Sequence, residues 1–332
     1  MNPFSAVTAP DPYPYYAQLV AKHPFYRDDE IAMWVASSAQ AVDEVLTNSA
    51  MRVRPTSEPV PKAIARTIAG DVFSRFARMT DGPQHDQARA MACTRVEGLD
   101  IDTLATAADE CARRFAPADL DAFVFTYPTS VIATVLGISA ESAPGWTGAF
   151  VRSVAAGANA DDTARGSEAA GNLWKAVEKT GLHDQDGIAN AIGLLFQTYD
   201  ATAALIANTL LAFATGRAAR EQRLENVIAG VVRNDSPVQN TRRFVAASTQ
   251  IMGTTVYEGD TVLVLLGAAN RDPLANGNIY TFGLGPHACP GARIACTIAQ
   301  AGVAYLLEQL VRLDHLVESG YRPYPNIRMP DF

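Results

Sequence analysis

The sequence has little cysteine, little charge and no long hydrophobic run. Four cysteines in 332 residues are too few and too scattered for a disulfide framework, so we expect a reducing compartment, the cytoplasm. The N-terminus lacks the basic and apolar regions of a signal peptide. No uncharged apolar stretch approaches the roughly 18 residues that a membrane-spanning helix needs. The sequence therefore predicts a cytoplasmic protein that does not enter a membrane.

The charge balance is acidic. The chain has 27 Lys and Arg against 35 Asp and Glu, which gives a formal net charge of −8. Because nothing in it resembles the basic stripe that a phosphate backbone requires, nucleic acid is not an expected partner. Charged residues make up 19% of the chain, below the roughly 25% of an average globular protein. This deficit favours extensive burial or contact with a sizeable apolar ligand.

Helical spacing dominates the middle and the end of the chain. It predicts helices over 12–22, 37–46, 84–94, 101–115, 128–136, 147–155, 166–180, 186–215, 221–233 and 290–310. Strands are predicted near 24–26, 33–36, 242–250 and 261–266, and 51–70 is expected to be an irregular loop. With no internal repeat and no linker, the pattern predicts a mainly α fold with a small β part, in a single domain over residues 1–332.

The densest chemical signal is the segment FGLGPHACPG at residues 282–291. Two glycines and a proline force an irregular loop, and Pro290 suits the first position of the helix that follows. Cys289 would then lie at a helix N-terminus, where unpaired N–H groups and the helix dipole favour a thiolate, the form that binds a metal. The alternative is that Cys289 is a buried, inert small hydrophobe.

This segment resembles the cysteine-ligand loop of the cytochrome P450 family, with Phe282, His287, Cys289 and Gly291 at matching positions. The resemblance implies a truncated P450-like fold in which Cys289 supplies the axial thiolate of a haem b iron. It also implies that Phe282 packs near the sulfur, that His287 meets a haem propionate and that Gly291 belongs to the cofactor-binding loop.

Two further segments resemble parts of the same family. In MTDGPQHDQAR, residues 79–89, His85 and Arg89 stand four apart on one helix face and could together hold a carboxylate. The alternative is a solvated surface pair. In SPVQNTRRF, residues 236–244, the resemblance implies that Arg242 reaches the second propionate and that Arg243 is a solvated neighbour.

The long helix carries QTYDAT, residues 197–202, at the place of the family's oxygen-activation motif. Asp200 matches the family's acid, a candidate for proton delivery, and Thr202 is assigned to the catalytic site with it. The alternative is that Asp200 is a structural carboxylate at a local distortion of the helix. The resemblance also implies a substrate pocket formed by the loop at 52–78 together with Gly193, Phe196, Gln197, Ala201, Val238 and Asn240.

The sequence departs from the family in four places. Ala201 stands where the family has its catalytic threonine. The glycine that opens the oxygen groove in the family is replaced by a larger residue of QTYDAT, in which the Gln197 side chain is long enough to reach the distal pocket. Gly230 replaces the glutamate of the Glu-x-x-Arg signature, whereas Arg233 keeps the arginine. The segment 274–279, LANGNI, is far shorter than the meander of the family, which carries a basic partner of the same ion-pair network.

The resemblance implies an oxidoreductase of the monooxygenase type. It would oxidise a small organic substrate with O2, and its electrons would come from a ferredoxin or flavodoxin and the corresponding reductase. Because of Ala201 and Gln197, we also consider a haem-thiolate enzyme that uses peroxide or performs dehydration, isomerisation or coupling. A non-catalytic haem-binding or sensing protein is a third hypothesis.

Two hypotheses outside this family are weaker. Gly283-x-Gly285-x-x-Ala288 fits a dinucleotide fingerprint, but Pro286 and His287 occupy positions where the pyrophosphate needs free backbone. A zinc site formed by His287, Cys289 and Cys296 fails because Cys296 lies two helical turns, about 10 Å, beyond Cys289.

Overall fold

The computed structural model describes residues 1–116, 119–309 and 311–331. The chain divides into two compact units. The first unit consists of Met1–Pro55, Ala204–Cys289 and Arg312–Phe332, and the second of Thr56–Ala203 and Pro290–Val311. The assignment of the whole chain to one domain remains a prediction.

The described residues form twelve α-helices: α1 (Tyr13–Lys22), α2 (Ala39–Thr47), α3 (Ile68–Phe73), α4 (Pro83–Glu97), α5 (Ile101–Ala112), α6 (Leu120–Val135), α7 (Ala143–Ser153), α8 (Ala160–Glu178), α9 (Gln185–Ala214), α10 (Leu224–Asn234), α11 (Leu266–Ala269) and α12 (Ala292–Glu308). They also form seven strands: β1 (Phe25–Asp28), β2 (Met33–Ala36), β3 (Met51–Arg52), β4 (Thr241–Val245), β5 (Thr249–Ile251), β6 (Thr254–Val256) and β7 (Thr261–Val264). This is the expected mainly α fold with a small β part. None of the helices in the described ranges combines the length and apolar character needed to cross a bilayer.

The first unit is built on a five-stranded sheet in the order β1-β2-β7-β4-β3. The pair β2–β7 is parallel and the other neighbours are antiparallel, whereas β5 and β6 form a separate hairpin. One apolar cluster packs α2 against this sheet and the hairpin, and it includes Val42, Val45, Val256 and Val264. A second cluster joins α1 to the sheet through Tyr16 and Leu19. The sheet is therefore covered by α1, which precedes it in the chain, and by α2, which lies between β2 and β3.

The second unit is helical, and Tyr127 of α6 is central to it. Its ring stacks on Phe123 with the ring centroids 4.7 Å apart. Its hydroxyl donates to the carbonyl of Ile298 in α12 at 2.9 Å. Gly302 makes room for the ring, because an added Cβ would lie 2.5 Å from Cε1 of Tyr127. The aromatic ring thus fixes the distance between α6 and α12.

Most of the predicted elements are present. The helix predicted over 186–215 is α9, and Gly216 ends it with a φ of +68°, a conformation that glycine adopts without strain. The strand predicted over 33–36 is β2. The helix predicted over 37–46 is α2, and the Ser38 side chain accepts a hydrogen bond from Ala41 N at its N-terminus.

Four expectations were wrong in position. The helix expected to begin at Pro128 begins at Leu120, because burial of its apolar residues outweighs the lost N–H of the internal proline. The strand expected over 242–250 is interrupted between Val245 and Thr249, and the loop expected over 51–70 contains β3 and the start of α3. Pro290 lies outside α12, which has Gly291 as its N-cap, so Cys289 is three residues before the first helical residue.

Candidate functional site

The loop that carries Cys289 is closed by backbone hydrogen bonds. The amide of Cys289 donates to Phe282 O at 2.7 Å, and the amide of Ala288 donates to Gly285 O at 3.0 Å. Gly283 and Gly285 have φ values of +72° and +67°, and an added Cβ on Gly285 would lie 3.1 Å from Leu46 O. Both glycines are therefore needed for the turn.

Cys289 is the exposed member of the four cysteines. Cys111 is buried, whereas Cys93 and Cys296 are half-buried. This exposure contradicts the alternative in which Cys289 is a buried, inert hydrophobe. The two neighbours named by the sequence, Phe282 and His287, lie half-buried on the same loop. The loop thus presents a thiol from a defined backbone instead of packing it into a core.

A buried polar cluster fixes the start of this loop at Thr281. The Thr281 hydroxyl donates to Val232 O at 2.6 Å and accepts from the Asn270 side-chain amide at 2.7 Å. The Ser236 hydroxyl lies 2.8 Å from the same oxygen. These contacts join α10, the segment after α11 and the loop, and all of these residues are buried. The sequence analysis missed this cluster because isolated Thr, Ser and Asn residues carry no spacing signal.

Arg233 has a partner although the signature glutamate is absent. Its Nη2 donates to the carbonyl of Gly277 at 2.9 Å. Gly277 belongs to the short segment between Pro273 and Tyr280, in which Asn276 and Gly277 both have positive φ values. The short segment therefore supplies a carbonyl oxygen to the arginine that has lost its carboxylate.

The two adjacent arginines of β4 lie in opposite environments. Arg242 is exposed, whereas Arg243 is 4% exposed, because successive side chains of a strand point to opposite faces. Nη1 of Arg243 donates to Arg242 O at 3.0 Å and to Thr241 Oγ1 at 3.3 Å. The expectation that Arg243 is the solvated neighbour was wrong. In a strand, residues two positions apart lie on the same face, so the apolar Val245 was the signal in the sequence that Arg243 faces the interior.

The remaining predicted residues of the first unit lie next to the C-terminal segment. Val238 pairs with Ile327 in an isolated antiparallel bridge. The Asn240 side chain is buried and donates to Pro325 O at 2.9 Å. Contact of these two residues with a substrate remains a prediction.

In the second unit, His85 and Arg89 both lie on α4. His85 is 4% exposed, and its Nδ1 lies 3.3 Å from the Asp86 carboxylate, which is itself exposed. Arg89 is half-buried. Burial of His85 contradicts the alternative of a solvated surface pair.

The long helix α9 holds the expected substrate loop in place. Oδ1 of Asn190 accepts from Ala77 N at 2.8 Å, and its Nδ2 donates to Arg75 O at 3.0 Å. One turn earlier, Asp186 pairs with the Arg75 guanidinium at 2.7 Å. These contacts were not predicted, and they fix residues 75–77 against the helix.

An aromatic group gathers beside the same stretch of α9. Phe196 lies 5.4 Å from Phe76, 5.0 Å from Phe150 and 6.4 Å from Phe73, measured between ring centroids. An added Cβ on Gly193 would lie 3.3 Å from Cδ1 of Phe76, so the glycine allows this approach. The structure therefore brings together two of the predicted pocket residues, Gly193 and Phe196, with the 52–78 segment.

The motif around Asp200 is partly accessible. Asp200 and Ala201 are half-buried, whereas Thr202 is 2% exposed. Tyr199 packs beside them against Gly148, and burial raises the pKa of its hydroxyl. Gln197 is exposed, and its Nε2 donates to Gly193 O at 3.1 Å, so the side chain turns back along its own helix.

The donor chemistry fits a haem with an axial thiolate. The loop offers one exposed sulfur with its backbone held by hydrogen bonds, and β4 offers a buried guanidinium. The part of the chain that the structure describes contains no group of three or more His, Cys, Asp or Glu side chains able to hold a metal ion. Nor does a described strand lead directly into the 283–288 turn, as a dinucleotide fingerprint requires.

Comparison with known proteins points to the same family. No family model matches the chain. The chain is 22% identical to "Biotin biosynthesis cytochrome P450" of Bacillus subtilis, covering 94% of this chain and 93% of that protein. It is 27% identical to "Cytochrome P450 monooxygenase PikC" of Streptomyces venezuelae, covering 96% and 89%.

Solved structures have the same fold. The epothilone B-bound cytochrome P450epoK superposes with a TM-score of 0.82 at 18% identity, over 100% of this chain and 98% of the other. P450BioI, solved in complex with an acyl carrier protein, gives a TM-score of 0.78 at 21% identity over 96% of both chains. The mainly α, P450-like fold expected from the sequence is thereby confirmed.

The buried Thr281 cluster gives a prediction for the stability of the loop. Thr281→Val keeps the shape of the side chain but removes the hydroxyl's bonds to Val232 O and the Asn270 amide, which are left with only their mutual contact at 3.5 Å. We therefore expect a loss of about 1–3 kcal/mol in the free energy of unfolding. We also expect faster reaction of Cys289 with a thiol reagent. Urea unfolding and labelling kinetics measure the two effects. Thr281→Ser, which keeps the hydroxyl, is the control, and equal losses in both variants would contradict the role of the hydrogen bonds.

Proposed function

We propose that this chain is a haem-thiolate monooxygenase of the cytochrome P450 family in which Cys289 ligates the iron, because cytochromes P450 match it over nearly its whole length. The proposal includes haem b as the cofactor, a small organic substrate and a ferredoxin or flavodoxin system as the electron donor. When bound, the haem supplies the activation of O2 that this family uses for monooxygenation. The exposed Cys289 on its closed loop is the observation that supports this assignment most directly.

The haem would be held by Cys289 together with histidine and arginine side chains. Cys289 supplies the thiolate, and the amides near it stabilise negative charge on the sulfur. We assign the propionate contacts to His85, His287, Arg89 and Arg243. We assign this role to Arg243 instead of Arg242 because a charge-assisted hydrogen bond from a buried guanidinium is stronger than one from an exposed guanidinium that water solvates.

The long helix and its aromatic neighbours would form the substrate side of the site. Phe196 and Gly193 are assigned to a wall that excludes water from an apolar substrate. Asp200 is assigned to proton delivery, because its carboxylate is half-buried and therefore able to exchange protons with solvent. Ala201 has no hydroxyl, so any hydrogen bond beyond this acid must come from another side chain or from water.

The first test is the absorption spectrum of the reduced carbon monoxide complex. Thiolate ligation moves its main band far to the red of histidine-ligated haem, and we expect this band in the purified holoprotein. Cys289→Ala should abolish it. Cys93→Ala, which changes a half-buried cysteine elsewhere, should leave it unchanged. A band that survives in Cys289→Ala would refute ligation by this residue.

The second test compares the two arginines of β4. Arg243→Gln should accelerate transfer of haem to apomyoglobin by at least tenfold, because a buried charge-assisted hydrogen bond is lost. Arg242→Gln should stay within about twofold of the unmodified protein, because exposed ion pairs contribute little. Arg243→Lys keeps the positive charge, so it should lose haem more slowly than Arg243→Gln. If Arg242→Gln instead loses haem faster than Arg243→Gln, Arg242 is the residue that contacts the propionate.

A second candidate function rests on Ala201 alone, because the Gln197 side chain is exposed and turns back along its own helix. Without a hydroxyl after Asp200, the enzyme could instead use peroxide directly or catalyse dehydration, isomerisation or coupling. Such an enzyme needs no electron donor and no proton delivery from Asp200.

The third test distinguishes these two functions. With NADPH, a surrogate ferredoxin and its reductase, Asp200→Asn should slow oxygen uptake by about two orders of magnitude without changing haem content. Ala201→Thr should lower the hydrogen peroxide released per NADPH consumed. Glu178→Gln serves as a control. Unchanged uptake in Asp200→Asn, together with oxidation of a chromogenic phenol by hydrogen peroxide alone, would favour the peroxide-using enzyme.

A further inference from the structure

The first unit contains an open groove of about 1330 Å³ between α1 and α2. The outer face of α1 lines it together with Asp11, Asp43, Glu44, Arg271, Asp272 and Leu274. It contains none of the residues assigned to the haem or the substrate. Its volume exceeds the roughly 300–1000 Å³ of typical small-molecule pockets.

The floor of the groove is apolar. The helix α1 buries Tyr16 and Leu19 in the core and turns Pro14, Ala17 and Ala21 outward. These small side chains repeat at helical spacing, so another helix could approach α1 closely.

Leu274 is held out of the core at the end of the groove. It is 76% exposed, in a short 3-10 helix that Asp272 caps by accepting from Leu274 N at 2.8 Å. The chain then turns sharply at Asn276 and Gly277, both with positive φ. The turn thus fixes a large apolar side chain in solvent, beside an apolar floor.

The polar groups of the groove are mainly carboxylates. Among the described residues, Asp11, Asp43, Glu44 and Asp272 have no Lys, Arg or His nitrogen within 4.0 Å. Three of them accept hydrogen bonds from backbone amides. Asp11 accepts from Tyr13 N, Glu44 from Met252 N and Asp272 from Ala39 N. These hydrogen bonds hold the carboxylates in fixed positions.

The single guanidinium in the lining is already engaged. Arg271 lies over the Tyr13 ring at 4.1 Å, and its Nη1 donates to Asn234 O at 2.8 Å. Four carboxylates against one engaged guanidinium give the groove a negative potential, which the net charge of −8 reinforces.

We propose that this groove docks a basic amphipathic helix of a partner protein. Its apolar face would cover α1 and Leu274, and its Lys or Arg side chains would reach Asp11, Asp43 and Glu44. Asp272 is 7% exposed with both oxygens bonded to backbone amides, so it contributes only its charge. The ten residues of α1 are about 15 Å long, enough for roughly three turns of a docked helix. The proposal does not depend on the catalytic assignment.

The test uses a fluorescein-labelled 14-residue helical peptide with Leu on one face and Lys elsewhere, titrated with the full-length holoprotein by fluorescence anisotropy. The matched control peptide has Glu in place of every Lys. We expect the Lys peptide to bind, its affinity to fall steeply with salt, and the Glu peptide not to bind.

Variants of the groove locate the contact. Leu274→Ser should weaken binding about tenfold, and so should the double variant Asp11→Asn, Asp43→Asn at low salt. Val317→Ser removes another exposed apolar side chain, 53% exposed and outside the groove, and should have no effect. Thermal unfolding checks that each variant is folded.

Four results would overturn the proposal. The first two are that the Lys peptide does not bind at 1 mM, or that both peptides bind equally well. The third is that Val317→Ser weakens binding as much as Leu274→Ser does. The fourth is that dodecylamine binds in the groove and excludes the peptide. Sedimentation velocity tests whether a second copy of this chain occupies the groove. Self-association that Leu274→Ser abolishes would make the occupant a second copy of this chain, which also overturns the proposal.

Discussion

The position of the candidate iron ligand depends on the buried hydroxyl of Thr281. It is bonded to Val232 O in α10 and to the side chain of Asn270 after α11, so two separate parts of the chain meet at the residue before Phe282. Asn270 also accepts from Tyr280 N at 2.6 Å, and the backbone bond from Cys289 to Phe282 closes the other end of the loop. Burial makes each of these bonds costly to lose. The loop is therefore set by polar contacts in its surroundings as much as by its own glycines.

A second buried polar centre ties the ends of the chain to the same unit. Arg328, 1% exposed, pairs with Asp235 at 3.1 Å and donates to the carbonyls of Val7, Ala9 and Pro10. Asp235 also accepts from Tyr13, whose pKa is raised by burial and by the Asp235 charge, so the hydroxyl stays a donor. A buried pair is stabilising only when its remaining hydrogen-bonding capacity is satisfied, and these carbonyls supply what Arg328 needs.

The sequence predicts the helices whose apolar spacing is regular, and it predicts Cys289 because glycines, proline and cysteine act within ten residues of one another. It fails where distant packing decides. Pro128 lies inside a helix because its surroundings are buried, and Arg243 is buried because of the pairing of β4 with β7. The roles of Asn190 and Thr281 can be recognised only in the folded structure. Asn190 bonds to Ala77 and Thr281 bonds to Val232, and in each bond the two residues are more than forty positions apart in the chain. Contacts of this range leave no periodic pattern.

The departures from the family divide into two independent groups. Arg233 bonds to Gly277, which belongs to the shortened segment, so the missing glutamate and the missing meander are one structural change. An added Cβ on Gly230 meets nothing within 4 Å, so lack of space does not explain the glycine. Ala201 and Gln197 lie in the second unit, whereas Gly230, Arg233 and Gly277 lie in the first. Arg233 stays bonded and the Cys289 loop stays closed despite the shortened segment. Under the proposed function, we therefore expect any change of chemistry to arise from Ala201 on α9.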